Sequence, residues 1–297
     1  MIDKLCGSIP ALVTPFTSEG AFDEPTFRDL VEWQIVEGSS ALFACGTTGE
    51  AATLSKAEHF EVVRVCIEQA HGRVPVIAGV GSNDTRSAIG NIAAAKEAGA
   101  DGALVVAPYY NRPNQEGLYQ HFAALARGTP LPIVLYNVPS RTVADIEPAT
   151  LARIVVDFPD AIVAIKDSSG LLARVSDHRA RLGRDFTQLT GNDDTALAFN
   201  ALGGTGCISV TANVAPGLCA SFQQACLQGD YEKALRYQDQ LFPLHAALFC
   251  DASPGPTKYA LSRVRRGFPK MLRLPMSEPG QASRAAVDAA LSHAKLV

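Results

Sequence analysis

The chain has 297 residues, of which 47% are hydrophobic and 19% are charged, and its formal net charge is -4. This composition allows a large core and excludes general disorder, and the acidic balance gives no electrostatic reason to expect a nucleic-acid partner. The first residues lack the basic segment and long apolar core of a signal peptide, and no later run is long enough to span a bilayer. We therefore expect a cytoplasmic protein.

Seven cysteines and six histidines are scattered along the chain. They form no C-x-x-C pair, no H-E-x-x-H motif and no other paired-ligand spacing. We therefore expect reduced thiols in the core, no disulfides and no metal site.

The first predicted elements are eight short apolar runs rich in valine and isoleucine, which are typical of buried parallel strands. They cover residues 8–14, 41–45, 75–80, 103–107, 133–136, 162–166, 186–190 and 207–210. Amphipathic segments separate them. Ser55 and Glu58 form a capping-box pattern that predicts a helix running to Gly72, and Gly99 and Gly203 are predicted helix ends.

From about residue 215 the pattern becomes wholly helical, with predicted helices at 218–228, 231–249, 256–264 and 281–294. Eight strands that alternate with helices predict a (β/α)8 TIM barrel followed by a C-terminal helical appendage. We place the catalytic barrel at 1–214, and the last barrel helix and helical subdomain at 215–297. A doubly wound sheet is the alternative, but the glycines at 79–82 lack the third glycine of a nucleotide-binding turn.

Lys166 ends the sixth predicted strand, directly after the apolar run 161–165. Its amine would lie among buried apolar side chains. Desolvation there lowers the pKa of a lysine, which leaves unprotonated amine that can attack a carbonyl. The segment alone also fits a lysine that extends to water, so other residues must decide between the two interpretations.

Polar residues collect at the ends of the predicted strands, which is the face where barrels of this kind place their active sites. The segments are Gly46-Thr-Thr-Gly-Glu50, Pro108-Tyr-Tyr-Asn-Arg-Pro113, Tyr136-Asn-Val-Pro-Ser-Arg-Thr142, Lys166, Gly191-Asn-Asp-Asp194 and Ser209-Val-Thr-Ala-Asn213. Hydroxyls, phenols, one arginine and one lysine are thereby predicted to share one site.

Several of these residues have two interpretations. The segment 46–49 is either a strand-to-helix turn or a cradle of hydroxyl and N–H groups for a carboxylate. Tyr109 and Tyr110 fit half-buried packing positions, whereas Tyr136 is placed to pass a proton to an imine. Arg141 is either a surface residue or a two-pronged donor to a substrate carboxylate.

Other polar residues are assigned structural roles. Cys45 and Cys207 are predicted to pack in the core, and Asp193 and Asp194 to cap the next helix. A basic stretch in the appendage is predicted to form a solvated face or an oligomer contact. It comprises Lys258, Arg263, Arg265, Arg266, Lys270 and Arg273.

Taken together, five segments resemble the dihydrodipicolinate synthase family of pyruvate-dependent class I aldolases. They are Gly46-Thr-Thr-Gly-Glu50, Pro108-Tyr-Tyr-Asn-Arg-Pro113, Tyr136-Asn-Val-Pro-Ser-Arg-Thr142, Ile165-Lys166 and Gly206-Cys-Ile-Ser-Val-Thr-Ala-Asn213. The resemblance extends from residue 8 to about residue 274.

The resemblance implies a lyase of lysine and diaminopimelate biosynthesis. Lys166 would form an imine with pyruvate, whose enamine attacks L-aspartate 4-semialdehyde, and the adduct cyclises to 4-hydroxy-tetrahydrodipicolinate. Tyr136, Thr47 and, from a neighbouring subunit, Tyr110 would form a proton relay.

The resemblance also implies the binding residues and the assembly. Thr48 would bind the carboxylate of pyruvate and Arg141 that of the semialdehyde, while the backbone of Gly191 and Ile208 would line the pocket. A homodimer, commonly paired into a homotetramer, is implied. No external cofactor is expected, because the protonated imine is itself the electron sink.

Feedback-sensitive members of the family bind lysine at a site that is not intact here. It corresponds to Ala51, Ala52, Lys56, His59, Asn83, Ser87 and Tyr109. An acidic residue usually stands at the position of Ser87, and Lys56 adds a positive charge, so the ligand's ammonium would lose its partner. We expect a vestigial site with weak or absent lysine inhibition.

Two other functions remain open from the sequence. Another pyruvate-type aldolase, such as N-acetylneuraminate lyase or a keto-deoxy sugar-acid aldolase, would share Lys166 and Tyr136, although Arg141 favours a small carboxylated aldehyde. A silent barrel that only binds a ligand is the second. A pyridoxal phosphate enzyme is disfavoured because the sequence shows no phosphate cradle.

Overall fold

The computed structural model describes residues 5–129 and 131–297, so residues 1–4 of the segment tested for signal-peptide features lie outside it. Eight parallel strands form one sheet. They are β1 (Gly7–Pro10), β2 (Leu42–Ala44), β3 (Val76–Gly79), β4 (Gly102–Val106), β5 (Ile133–Asn137), β6 (Ile162–Asp167), β7 (Thr187–Thr190) and β8 (Gly206–Ser209). All eight predicted strands are confirmed.

The sheet closes on itself into a barrel. From β2 to β8 each strand pairs with the next one along the chain, and β8 pairs with β1. Between β1 and β2 the closing contact is a parallel bridge from Ala11 to Phe43, with a 2.9 Å hydrogen bond from the Leu12 amide to the Phe43 carbonyl. The predicted (β/α)8 barrel is confirmed.

Helices connect the strands and extend the chain beyond β8. They are α1 (Glu24–Val36), α2 (Lys56–Ala70), α3 (Thr85–Glu97), α4 (Gln115–Gly128), α5 (Pro139–Thr142), α6 (Pro148–Asp157), α7 (Ala173–Leu182), α8 (Ala196–Ala201), α9 (Pro216–Leu227), α10 (Tyr231–Ala247), α11 (Gly255–Val264) and α12 (Gln281–His293). The helical C-terminal region is confirmed, and the domain boundary after residue 214 stays a prediction.

The core has two layers separated by the sheet. Alternate strand residues such as Ile77, Val134 and Ile208 fill the barrel interior, whereas Ala78, Leu135 and Cys207 pack outward against the helices. Successive side chains of a strand point to opposite faces, which produces this division. By the same alternation, a polar residue placed in phase with the inner set must face the axis of the barrel.

The predicted thiol environment holds for most cysteines. All seven are free, and Cys45, Cys66, Cys207, Cys219 and Cys226 are buried. Cys6 is half-buried and Cys250 is exposed, so the core prediction is wrong for these two. None of the helices within residues 5–129 and 131–297 combines the length and apolar character needed to cross a bilayer.

The prediction of a solvated basic face is wrong at two of its positions. Lys258 is fully buried and pairs with Glu50, and Arg273 is largely buried between Glu58 and the carbonyl of Gly20. A charge in the interior needs a partner, and both cations find carboxylates on segments near the start of the chain. These residues attach the C-terminal region to the barrel.

Candidate active site

Lys166 points into the barrel near the carboxyl end of β6. It lies two residues after Ala164, an inward residue, and is paired in register with Tyr136 on β5 and Leu189 on β7. Only 5% of the residue is exposed. Its Nζ atom lies 4.2 Å from the centre of the Tyr136 ring and 5.4 Å from that of Phe43. The lysine is therefore enclosed by aromatic walls, and it does not extend to bulk water.

A cavity of about 590 Å³ opens above Lys166. Six of the eight predicted catalytic and substrate-binding residues line it: Thr47, Thr48, Tyr136, Arg141, Lys166 and Gly191. These six residues contribute one amine, one phenol, two hydroxyls and one guanidinium to its walls. Such a set can form an imine, move protons and hold a carboxylate.

Two predicted residues lie apart from the cavity lining, as judged over the described part of the chain. Ile208 is buried within β8 in the inner core. Tyr110 is 90% exposed and has a left-handed backbone, with φ of 72°. A large aromatic side chain presented to solvent by such a backbone is suited to a contact with another chain.

The turn after β2 places Thr47 and Thr48 beside the lysine. The left-handed backbone in this segment belongs to Cys45 and Glu50, whose φ values are 59° and 55°, and its two glycines have ordinary φ values. The glycines are needed for space. A Cβ on Gly46 would stand 2.3 Å from the Phe43 ring, and one on Gly49 would stand 2.9 Å from the Leu12 carbonyl oxygen. The turn is thus pressed against β1 and β2.

Gly191, which follows β7, is needed for a similar reason. A Cβ there would stand 2.0 Å from the Ser168 hydroxyl oxygen and 2.7 Å from Cε of Lys166. The absence of a side chain therefore makes room for the lysine. Ser168 lines the cavity, and its hydroxyl has no hydrogen-bond partner among the residues the structure describes.

Asp193 also lines the cavity, and the prediction that it caps the next helix is wrong. Its carboxylate turns back to the residues after β8, accepting hydrogen bonds from the Ser209 hydroxyl at 2.5 Å and the Val210 amide at 2.9 Å. The Thr211 amide donates to it at 3.2 Å. A buried carboxylate with three donors is a fixed structural element, which ties the β7 turn to the β8 turn.

Sequence reasoning missed His245, which reaches the cavity from α10. Its Nδ1 atom lies 2.8 Å from the Thr211 hydroxyl. Burial lowers the pKa of this imidazole, against the opposing effect of Asp193 and Asp194. Burial likewise raises the pKa of the Cys207 thiol well above its ordinary value, which fits the predicted packing role.

A second cavity of about 550 Å³ adjoins the first and shares Thr47, Tyr136 and Arg141 with it. Five residues of the predicted lysine-regulatory set line it: Ala51, Ala52, Lys56, His59 and Tyr109. Asn83 and Ser87 stand outside this lining within the described residues. The Ser87 hydroxyl donates instead to Asp84, at 2.6 Å.

Comparison with known proteins places this site in a family. A model of the dihydrodipicolinate synthetase family matches residues 4–294. A protein of Rhizorhabdus wittichii named 4-hydroxy-tetrahydrodipicolinate synthase is 66% identical over 288 residues, covering 97% of this chain and 98% of that protein.

Solved structures agree with this match. The dihydrodipicolinate synthase of Aquifex aeolicus is 40% identical, with a TM-score of 0.95 over 98% of this chain and 99% of that one. The chloride-inhibited enzyme of Acinetobacter baumannii, complexed with pyruvate, is also 40% identical, with a TM-score of 0.94 over 99% of this chain and 100% of that one. The chain belongs to the dihydrodipicolinate synthetase family.

Proposed function

We propose that Lys166 is the residue through which this chain performs the reaction of its family. That reaction condenses pyruvate with L-aspartate 4-semialdehyde to 4-hydroxy-tetrahydrodipicolinate, the first committed step of diaminopimelate and lysine synthesis. The observation that carries the proposal is the amine of Lys166, enclosed at the base of a cavity and facing the ring of Tyr136. The names of the relatives and the pyruvate complex of one of them support it.

The chemistry begins with attack of the unprotonated Nζ on the ketone carbon of pyruvate. A C–N bond forms, the carbonyl oxygen takes up protons and leaves as water, and a protonated imine results. Loss of a methyl proton gives an enamine, whose carbon attacks the aldehyde carbon of the second substrate. The substrate's own amine then displaces Lys166 as the ring closes, which regenerates the free lysine.

The proton transfers are assigned to hydroxyl groups around the amine. Tyr136 is assigned the role of acid and base, which is supported by the 4.2 Å between Nζ and the centre of its ring. Thr47 relays protons between Tyr136 and Tyr110 of a second copy of the chain. The 90% exposure of Tyr110 in the single chain supports an assignment across an interface.

The carboxylates of the two substrates are assigned to residues of two different elements. Thr48, in the turn after β2, binds the carboxylate of pyruvate, and Arg141, in α5, binds that of the semialdehyde. Gly191 and Ile208 contribute backbone near the lysine. The enzyme uses no external cofactor in this scheme, and its working unit is a homodimer or a homotetramer.

Borohydride reduction with pyruvate tests the imine. The expected result is a pyruvyl adduct found by mass spectrometry on Lys166, and none in a Lys166→Ala variant. An unmodified Lys166 would remove the basis of the proposal. Steady-state rates then decide the second substrate: turnover of pyruvate with aspartate semialdehyde is expected, and preferential cleavage of sugar acids would assign the chain to a different aldolase reaction.

A further inference from the structure

We propose that the buried ion pair between Glu50 and Lys258 positions the turn that carries Thr47 and Thr48, and thereby sets the binding of pyruvate. Both would be positioning residues, since neither is placed against substrate by the function proposed above, on which this inference rests. The pair joins a turn of the barrel to α11, more than two hundred residues later in the chain.

The pair is closed off from solvent. The side chain of Lys258 is 0% exposed and that of Glu50 is 2% exposed, and their nearest charged atoms are 2.5 Å apart. Lys258 also donates to the Met271 carbonyl oxygen at 2.8 Å and lies 4.2 Å from the centre of the Phe16 ring. The second oxygen of Glu50 accepts a hydrogen bond from the Arg273 amide at 3.1 Å. The carboxylate is therefore held from two sides by the C-terminal region.

The backbone of Glu50 transmits this constraint to the turn. Glu50 adopts the left-handed conformation, which a residue with a side chain keeps only where its surroundings impose it. Its amide donates to the Thr47 carbonyl oxygen at 3.1 Å, and its own carbonyl accepts from the Thr53 amide at 3.0 Å. A shift of the carboxylate would therefore move the two threonines that line the cavity.

Stability alone does not account for a pair in this place. Buried ion pairs are often no more stabilising than apolar residues of similar size, because both charges lose their hydration. What we infer this pair supplies is a fixed geometry, since each buried charge must keep its partners within reach. Here the pair constrains the turn that contains Thr48. The side chain of Arg141 reaches the cavity from a different element, α5.

The test compares Glu50→Gln, Lys258→Met and the double variant with an exposed control, Arg236→Met, whose partner Glu232 lies on the same helix. For the Glu50 and Lys258 variants we expect the KM for pyruvate to rise about tenfold or more and kcat to fall, because a turn displaced by less than an ångström misplaces its hydroxyls. The KM for aspartate semialdehyde is expected to stay within about twofold, because Arg141, to which its carboxylate is assigned, lies in α5 and outside this turn. Arg236→Met should leave all three constants unchanged.

If a single variant fails to fold, the double variant still tests the inference, because it leaves no unpaired buried charge. A folded double variant with an unchanged KM for pyruvate would overturn the inference. Equal rises in both KM values would also overturn it, by indicating general loosening. Borohydride trapping in the unmodified protein distinguishes failure of this inference from failure of the proposed function. If no adduct forms on Lys166, the proposed function is wrong, whatever the KM values of the variants are.

Discussion

Gly191 stands where the site has no room for a side chain. An alanine Cβ would overlap the Ser168 hydroxyl and press on Cε of Lys166, at 2.0 and 2.7 Å. Because the lysine is enclosed, the strain would move its amine away from bound pyruvate, and we predict that Gly191→Ala lowers kcat/KM by about 100-fold. Steady-state kinetics checks this prediction. Gly90→Ala is the matched control, since a Cβ there meets nothing within 4 Å, and equal activity of the two variants would contradict the steric argument.

Ser87 and Lys56 lead to a prediction about regulation. The resemblance aligns Ser87 with the family's acidic residue, and Lys56 lines the second cavity. An incoming ammonium would thus meet the cation of Lys56 and, at position 87, a hydroxyl in place of a carboxylate, so we predict that lysine at physiological concentrations inhibits weakly or not at all. A lysine titration that shows strong inhibition would contradict this.

Ser87→Glu extends the same test. A glutamate in the first turn of α3 also suits the helix N-terminus, so the variant is expected to fold. It should increase sensitivity to lysine, while Ser87→Gln, its uncharged match, should not. Sensitivity of both variants to the same degree would show that charge is not the missing feature.

Individual residues differed in how well the sequence could predict them. Lys166 and Tyr136 were predictable because strand alternation fixes which face a side chain takes, and both are in phase with the inner core. The contacts of Asp193 were not predictable. The same local sequence fits an aspartate that caps the next helix and one that accepts hydrogen bonds from residues at the end of the next strand. Long-range contacts made that choice.

At the scale of elements, the start of α2 combines two interactions in one side chain. Glu58 accepts from the Ser55 amide at 2.9 Å, which completes the predicted capping box, and pairs with Arg273 at 2.5 Å. The hydrogen bond from the Arg273 guanidinium lowers the pKa of Glu58 to about 2, from 4.5, and that from the Ser55 amide adds to the shift. The capping box was predictable from local sequence, and the ion pair was not.

A pH dependence follows from that lowered pKa. Well above pH 4.5 the Glu58 carboxylate is charged in folded and unfolded chains, and its stabilisation is complete. As the pH falls toward 2 the unfolded chain binds the proton first, so the stabilisation is lost. We predict that the difference in unfolding free energy between the unmodified protein and Glu58→Gln is constant from pH 7 to about 5 and then shrinks.

Urea unfolding between pH 3 and pH 7 measures this difference. The control is Glu232→Gln, which removes an exposed carboxylate at the start of α10 and should change the unfolding free energy by less than about 0.5 kcal/mol. A difference for Glu58→Gln that stays constant down to pH 3 would show that its pairing with Arg273 contributes little.

The strands themselves were predicted well, apart from their ends. The first predicted strand, 8–14, is observed at Gly7–Pro10. The amides of Ala11 and Leu12 still bond to Ser209 and Phe43, but the Val13 amide donates to the side chain of Asn213 at 3.0 Å, so the pairing ends there. Apolar periodicity marks where a chain is buried, whereas the end of a strand depends on which partner its amides find.

For the whole molecule, the family and the barrel were predicted correctly, while the role of the C-terminal helices was not. His245 of α10 lines the cavity and Lys258 of α11 pairs with Glu50 in the turn after β2, so segments that come after the barrel contact the site and its supporting turn. No local sequence pattern predicts such contacts. They depend on how the C-terminal helices pack against the barrel, which is determined only when the whole chain has folded.

The proposed site depends on the association of two chains, because Tyr110 is assigned to the site of a second copy. If Tyr110 acts in the site of a second copy, a Lys166→Ala chain and a Tyr110→Phe chain should complement each other. In the mixed dimer one site combines Lys166 from the second chain with Tyr110 from the first. Random pairing then makes half of the dimers mixed, and we predict recovery of about a quarter of the unmodified activity on co-expression.

Lys166→Ala co-expressed with Tyr136→Phe is the matched control for this experiment. Lys166 and Tyr136 are paired in register on neighbouring strands of one chain, so no mixed dimer restores a site with both, and no recovery is expected. Activity measured on dimers purified by size, with mass spectrometry to count mixed species, decides the result. The opposite result is that mixed dimers of the Lys166→Ala and Tyr110→Phe chains form and are still as inactive as the control dimers. That result would contradict the assignment, because Tyr110 of one chain would then not contribute to the site of the other.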